Sequence, residues 1–342
     1  MQHLKPSRGP GQDGKAGPPP ADAAYSDAQL LLAARLYYVD GILQTKIGRM
    51  VGVSQAKVSR MLAAARQRGL VRITVPEFEP RDAALEQQLC RRLKLKHAVV
   101  VRQIAGQSPA ESRNTLGYFA GSVAAGWLAA CGTIAVAGGR TLQCLADSMG
   151  RQPGPAQPTI VQAMGNVDAA PGQYDGSEIG RGLAQRWRGN FLALNTPAFV
   201  PDASVCRRLG EMREIREVFE RLASADAALV GIGNLVESVF IERRVLQPRD
   251  IQSLRRAGAV GEILGRFYND AGKQCATPYC DRVISMALDK LRKIPLVVGV
   301  VAGDDRTEAI RAALRGGLIN ALVIDDRAAR LLLESRRLTG RR

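Results

Sequence analysis

Between Ser26 and Gly69 the apolar positions recur at helical spacing and are interrupted by short polar turns. Ser26-Asp-Ala-Gln-Leu-Leu-Leu-Ala-Ala-Arg-Leu-Tyr-Tyr38 opens on a capping residue and reads as a helix closing at Asp40-Gly41. A second helix is expected over 44–51 with Ile47 and Met50 inward. Gly52 marks a turn, and Ser54 caps a third helix whose Val58, Met61 and Leu62 share one face. Gly69 stops it. Residues 70–75 then alternate as a short strand, a candidate wing, which Pro76 ends. Residues 82–95 read as a helical linker with Leu85, Leu89 and Leu93 four apart. That spacing leaves open a plain connector and a dimerising helix.

From His97 onward short β-branched runs alternate with helical stretches. Strands are predicted over 98–101, 133–137, 159–162, 191–194, 228–232, 296–301 and 321–324. Between them lie helices such as 108–129, where Ser108-Pro-Ala-Glu111 is a capping box with proline at the first helical position. Continuously apolar strands alternating with helices indicate a mostly parallel sheet covered on both faces. The fold class is therefore α/β. An all-α helix-turn-helix unit over 25–76, winged or simple, is joined by a linker over 77–96 to a mostly parallel, Rossmann-like α/β unit over 97–338. Residues 1–24 hold five of the seventeen prolines and almost no large apolar groups. They are expected to form a disordered basic tail.

Composition sharpens this picture. At 342 residues, two domains are the prior expectation. The formal net charge of +16 favours partners that carry phosphates or an anionic surface. The six cysteines are scattered with no C-x-x-C pair, and with two histidines they build no zinc site. Reduced thiols and a cytoplasmic location follow, with no metal and no cofactor expected. The charge-free stretch between Arg113 and Arg140 is Ala- and Gly-rich and broken at Cys131-Gly132-Thr133. It therefore reads as helix, turn and strand rather than a membrane span.

The charge has a focus. From Gly41 to Pro76 there are seven Lys or Arg residues and no Asp or Glu. An acid-free segment carrying two short helices and a tight turn points to duplex DNA. In such a pair the second helix enters the major groove with its leading residues at base edges. That places Gln55, Ala56, Lys57 and Ser59 at the groove, with Arg60 close by. Gln pairs with adenine and Lys donates to guanine. Ser54 and the helix N-terminus are placed at a phosphate, with Lys46, Arg49 and Arg72 as backbone contacts. Spanning two half-sites requires a homodimer or a homotetramer.

In the larger unit, Thr133-Ile-Ala-Val-Ala-Gly-Gly-Arg-Thr141 is a buried strand running into a glycine-rich turn and then a helix. Backbone N–H groups at Gly138 and Gly139, the helix start at Thr141 and the Arg140 guanidinium suit a phosphate. The same turn also fits a plain strand-to-helix junction. It is neither a dinucleotide fingerprint nor a P-loop. A second junction, Val298-Gly-Val-Val-Ala-Gly-Asp-Asp-Arg306, lies where ligands of open parallel sheets gather. Glu262 is read either as a sugar-hydroxyl acceptor or as a surface carboxylate. No acid–base pair, partnered nucleophile or metal cluster is visible, which argues against catalysis.

Several segments in this order resemble the SorC family of sugar-responsive bacterial transcriptional regulators. They are Ala33-Ala-Arg-Leu-Tyr-Tyr-Val-Asp-Gly41, Gly52-Val-Ser-Gln-Ala-Lys-Val-Ser-Arg-Met-Leu62, Arg68-Gly-Leu-Val-Arg-Ile73, Gly138-Gly-Arg-Thr141, Leu229-Val-Gly-Ile-Gly233, Gly258-Ala-Val-Gly-Glu262 and Ala312-Ala-Leu-Arg-Gly-Gly-Leu-Ile-Asn320. The resemblance covers about residues 26–335 and implies an effector domain similar to glucosamine-phosphate isomerases. By it, Gly138, Gly139, Arg140 and Thr141 hold the phosphate of a sugar or polyol effector, with a basic residue at 306. The family pattern has Gly-Gly and Lys where this chain has Ala302-Gly303 and Arg306. The resemblance also favours a tetramer, with operator DNA and RNA polymerase as partners. The isomerases carry Asp-Gly-His where this chain has Asn234-Leu-Val-Glu237 after Gly233. Two competing readings are a sugar-phosphate isomerase with a DNA-binding appendage and a nucleoid-type structural binder.

Overall fold

A computed structural model describes residues 25–74, 76, 78–151, 157–168, 172–236, 238–243 and 245–334. The tail expected over 1–24 lies outside them. The chain divides between Phe78 and Glu79 into two compact units.

In the first unit α1 (Asp27–Ala34) begins at a reciprocal Ser26–Gln29 capping box and continues as a π-helical turn over Arg35–Val39. Helix α2 (Gln44–Met50) and helix α3 (Gln55–Gln67) follow. Leu30, Ala33, Ile47, Val58, Met61, Leu62 and Ala65 form their common core. Gly52 takes a left-handed φ of 69°, and the Ser54 hydroxyl accepts the Lys57 N–H at 3.2 Å. Arg68 clips the end of α3 to α1, donating to Tyr25 O and to Asp27 Oδ1, each at 3.0 Å.

Two expectations are corrected here. Met50 is 56% exposed, and the inward position belongs to Gly48. A Cβ at Gly48 would lie 2.6 Å from the Val53 carbonyl oxygen, so the turn crosses α2 too closely for any side chain. Leu70–Thr74 form no strand, and Val75 lies outside the described residues. The Leu70 and Val71 N–H groups both donate to Ala65 O, at 2.9 and 3.2 Å, and both side chains pack on the helical core. An alternating pattern without a partner strand has closed back on the helix instead.

The second unit runs α4 (Ala83–Leu93), β1 (His97–Val101), α5 (Pro109–Trp127), β2 (Thr133–Val136), α6 (Arg140–Ser148), β3 (Thr159–Gln162), α7 (Gly176–Arg186) and β4 (Asn190–Leu192). It continues through α8 (Ala203–Glu211), α9 (Arg213–Ala223), β5 (Ala227–Gly231), α10 (Val239–Glu242), α11 (Pro248–Arg256), β6 (Gly261–Ile263) and β7 (Arg266–Tyr268). It ends with α12 (Leu288–Leu291), β8 (Leu296–Val300), α13 (Thr307–Arg315), β9 (Ala321–Asp325) and α14 (Asp326–Glu334). Seven strands form one wholly parallel sheet in the order β1-β9-β8-β5-β2-β3-β4. Each of the seven predicted strands is present. The antiparallel β6–β7 hairpin was not anticipated, because its three-residue strands carry too little periodicity to register.

Strand order decides where the loops go. From β2 the chain moves outward to β3 and β4; after β5 it moves the other way, to β8 and β9. The reversal lies between neighbouring strands β2 and β5. Right-handed crossovers put α6 and α7 on one face and the returning α9 and α13 on the other. Leu85 and Leu89 of α4 are buried in the principal core, so the helix expected as a linker is a covering layer of this sheet. Its inward Glu86 holds Arg81 at 2.9 and 2.6 Å and accepts the Val100 N–H at 3.1 Å. Among the described residues no helix is long and apolar enough to cross a membrane.

Helices α5 and α6 approach through Gly117 and Gly121. A Cβ at Gly117 would collide with the Cys144 backbone, and one at Gly121 would stand 2.6 Å from the Ser148 carbonyl carbon. Gly126, in the same helix, has nothing within 4 Å. Gly117→Ala should lower stability by about 1–3 kcal/mol through overpacking, whereas Gly126→Ala should raise it by roughly 0.5–1 kcal/mol through helix propensity. Paired urea denaturation curves check both signs within one helix.

Candidate functional site

Two places gather the residues with chemistry. The first is the leading end of α3. Val58, Met61, Leu62 and Ala65 are buried, which turns Gln55, Ala56, Lys57, Ser59 and Arg60 outward, and all five are exposed. Lys46 and Arg49 on α2 and Arg72 beyond α3 are exposed as well. Among the described residues none of these cations joins an ion pair; of the acid-free segment's seven, only Arg68 is committed to a carboxylate. The Lys57 ammonium stands 5.8 Å from the centroid of the Tyr25 ring, and Arg60 Nε donates to Ala56 O at 3.4 Å. The two helices are separated by residues 51–54, a tight turn with the Ser54 cap at its end.

The second place is the C-terminal edge of the sheet at the reversal. Gly138 lies against the start of α7: a Cβ there would be 2.9 Å from Tyr174 O and 3.2 Å from Gly176 N. A Cβ at Gly176 would in turn meet Gly138 N at 3.3 Å. Gly139, the residue preceding α6, takes φ 144°, and its N–H donates to Tyr174 O at 2.8 Å. The two glycines are thus needed for different reasons, one for close approach and one for backbone conformation.

This contact sets two helix N-termini side by side. No side chain caps α6. None caps α7 either, because the Asp175 carboxylate accepts from Gly172 N at 2.6 Å and faces Arg243 at 3.3 Å. Each uncapped N-terminus contributes favourable potential for an anion, about 0.3–1 kcal/mol at an exposed site. Arg140 and Thr141 are the first two residues of α6; the Arg140 guanidinium pairs with Glu242 at 2.8 Å.

Loops from β5 and β8 reach the same edge, since β2, β5 and β8 are parallel neighbours. Asn234 Nδ2 donates to Asp305 Oδ2 at 3.3 Å and ties the two loops together. Gly303 has φ 100°, and its N–H donates to the buried Asp325 at 2.7 Å. Ala302 carries no left-handed φ, so a Gly-Gly pair needs its second glycine only. Arg306 folds back, Nη1 donating to Ala302 O at 3.1 Å and Asp305 Oδ1 at 3.0 Å. Burial pushes the Asp325 carboxyl above the usual range, against the opposing pull of the Ala328 and Gly303 N–H groups.

Glu262 is not a surface carboxylate. It pairs with Gly233 through hydrogen bonds of 2.9 Å in both directions and stands at the mouth of the β5 loop. Its side chain closes the β6–β7 hairpin by accepting the Gly265 N–H. Desolvation pushes the carboxyl up to about 7, and the Gly265 N–H only partly offsets it. The sheet order thus brings Gly138, Gly139, Arg140, Thr141, Glu262 and Arg306 to one edge of one sheet. Sequence reasoning missed Tyr174, Asp175, Glu242 and Arg243 there. Asp175-Gly176-Ser177 before a helical run was a legible helix start; the Arg243 pairings were not, since their partners Asp168 and Asp175 are far away in sequence. Among the described residues no cluster of three or more His, Cys, Asp or Glu could hold a metal. A concavity of about 440 Å³ lies elsewhere, between α5 and α6 beside Tyr118 and Cys144.

Residues 80–334 match the family described as "Putative sugar-binding domain". The transcriptional regulator LsrR of Escherichia coli K12 is 31% identical over 317 residues, covering 90% of this chain and 95% of its own. A DeoR family transcriptional regulator from Listeria monocytogenes shares 29% identity and a TM-score of 0.66 over 73% of this chain and 98% of its own. The full-length sorbitol operon regulator SorC of Klebsiella pneumoniae has the same fold, with a TM-score of 0.68 at 24% identity over 90% of this chain and 99% of its own. The chain is a transcriptional regulator with a sugar-binding domain, and it belongs to the SorC-type family.

Proposed function

We propose that the protein binds a specific operator of a carbohydrate or polyol utilisation operon and that a phosphorylated sugar at the sheet edge sets its hold on DNA. The observation that carries the DNA half is the exposed leading end of α3, with Lys46, Arg49, Lys57, Arg60 and Arg72 around it, none of which joins an ion pair among the described residues. Gln55, Ala56, Lys57 and Ser59 read base edges, Arg60 supports them, and Lys46, Arg49, Ser54 and Arg72 hold phosphates. A unit that only coated DNA would need the cations but not four small or neutral-to-basic side chains projecting from one capped helix start.

The effector half rests on the paired N-termini of α6 and α7. Gly138, Arg140 and Thr141 take the phosphate, Gly139 shapes the turn around it because its own N–H is held by Tyr174 O, Glu262 takes a sugar hydroxyl, and Arg306 supplies positive charge from the β8 loop. Effector binding acts by linkage, favouring one subunit arrangement of a dimer or tetramer by its differential affinity. We assign no enzymatic activity, no cofactor and a cytoplasmic setting, where operator DNA is reached. LsrR and the sorbitol operon regulator, which align along nearly the whole chain, are named as regulators, in keeping with this reading.

The central test measures fluorescence anisotropy on a duplex selected from a random pool and on an unselected duplex. Lys57→Ala should reduce discrimination between them by roughly 5- to 100-fold, the 1–3 kcal/mol of a base contact. Lys46→Ala should weaken both equally and lower the salt slope by about 0.9. Equal behaviour of the two variants would remove α3 from the groove. In the sensor, Thr141→Val should abolish the rise in melting temperature produced by a phosphorylated ligand, scored in a panel of sugar and polyol phosphates against their unphosphorylated forms.

Glu262 gives a pH dependence of definite sign. Its carboxyl titrates near 7 in the folded chain against an ordinary 4.5. The folded state therefore binds more protons between these values, and stability falls as pH rises through the window. A shift of this size corresponds to roughly 3 kcal/mol at most. Glu262→Gln keeps the acceptor for Gly265 and should flatten the decline between pH 5 and 8 in urea melts. An unchanged slope would show the carboxylate to be solvated.

A further inference from the structure

Between β5 and β8 the chain leaves the sheet, and its first helical turn, α10, reaches the edge where α6 and α7 begin. Phe240 is fully buried in a subsidiary core with Leu254, Phe267 and Tyr279, which fixes the turn in place. The residues that follow reach both helix starts. Glu242 Oε1 accepts from Arg140 Nη2 at 2.8 Å. Arg243 Nη1 donates to Asp168 Oδ2 at 2.6 Å and to Asp175 Oδ1 at 3.3 Å. Arg140 opens α6 and Asp175 precedes α7.

The two anchors differ in strength. The Arg140 and Glu242 side chains are 45% and 47% exposed, whereas those of Arg243 and Asp175 are 23% and 9% exposed. A half-exposed pair is weak and easily exchanged. A guanidinium shared by two carboxylates, one of them nearly buried, is held more firmly.

We propose that Glu242 is an internal anion that occupies Arg140 until a phosphorylated ligand displaces it. The inference rests on reading the α6–α7 edge as the phosphate site and assigns the regulation of that site. A phosphate brings nearly two charges and three acceptor oxygens, and it also meets the uncapped N–H groups that Glu242 leaves unused. It therefore gains more from the edge than the carboxylate it replaces. Once displaced, Glu242 faces a like charge and swings outward, while Phe240 and Arg243 keep the turn hinged. Ligand occupancy thereby becomes a change in where the Glu242 side chain points at the end of a turn that Phe240 holds fixed. The displacing anion shifts the equilibrium only by its differential affinity for the two arrangements.

Titration calorimetry of the full chain with inorganic phosphate tests the exchange. Both side chains are about half exposed, so their replacement leaves the fold intact. Glu242→Gln removes the competitor and should tighten phosphate binding roughly two- to fivefold, the worth of an exposed ion pair. Arg140→Gln should weaken it, and adding Glu242→Gln to Arg140→Gln should bring no further gain. A gain that persists without Arg140 would make Glu242 a diffuse repulsive charge and overturn the exchange. An unchanged or weaker Glu242→Gln would overturn it too, while phosphate binding lost in Arg140→Gln would leave the phosphate site standing. Wild-type protein that binds no phosphate overturns both.

Discussion

Backbone packed directly on backbone between Gly138 and the start of α7 is the constraint on which the arrangement of the sheet edge depends. Any side chain at Gly138 would push Tyr174–Gly176 away and separate the two helix N-termini. With that contact made, Gly139 can donate to Tyr174 O and turn the chain into α6 without a capping side chain. The sheet supplies the rest by its strand order. A reversal between β2 and β5 leaves a crevice that no crossover fills, which is where parallel α/β folds present ligands.

Charge is organised differently in the two units. In the larger one, several arginines are held by acids: Arg81 by Glu86, Arg243 by Asp168 and Asp175, and Arg282, which also lies over the Phe199 ring, by Asp250. In the smaller one, among the described residues, only Arg68 of the acid-free segment's cations pairs with a carboxylate. A net charge of +16 could be an unfocused compositional excess. Residues 79–342 carry 37 Lys or Arg against 27 Asp or Glu, so the excess is shared by both units, and what sets the smaller one apart is an acid-free stretch around one helix start.

The sheet edge also holds carboxylates with reduced access to water, Asp325 buried and Glu262 half-buried. Glu262 and Asp325 both titrate above the usual range because burial disfavours their charge. Asp325 spends its oxygens on the Gly303 and Ala328 N–H groups and so shapes the β8 loop. Glu262 spends one on Gly265 and keeps the other beside Gly233, where an added Cβ would meet it at 2.8 Å. Such an oxygen suits a hydroxyl donor better than a cation, because the surrounding desolvation penalises full charge.

Element identity was legible in the residues themselves. Continuous apolar runs marked the seven strands, and Ser26, Ser54 and Ser108 marked three helix starts, because capping and burial are local properties. Local pattern failed wherever a neighbour decided the outcome. Met50 is exposed because Gly48 must face the turn, and residues 70–74 are no strand because nothing pairs with them. Linear spacing showed that Gly138-Gly-Arg-Thr141 and Arg306 each follow a strand. Only strand order, set by long-range packing, decided that those strands flank β5 at a reversal. Glu262 illustrates the division most sharply: its place in a Gly-Ala-Val-Gly-Glu run was plain from the sequence, but its desolvation comes from chain segments folded around it.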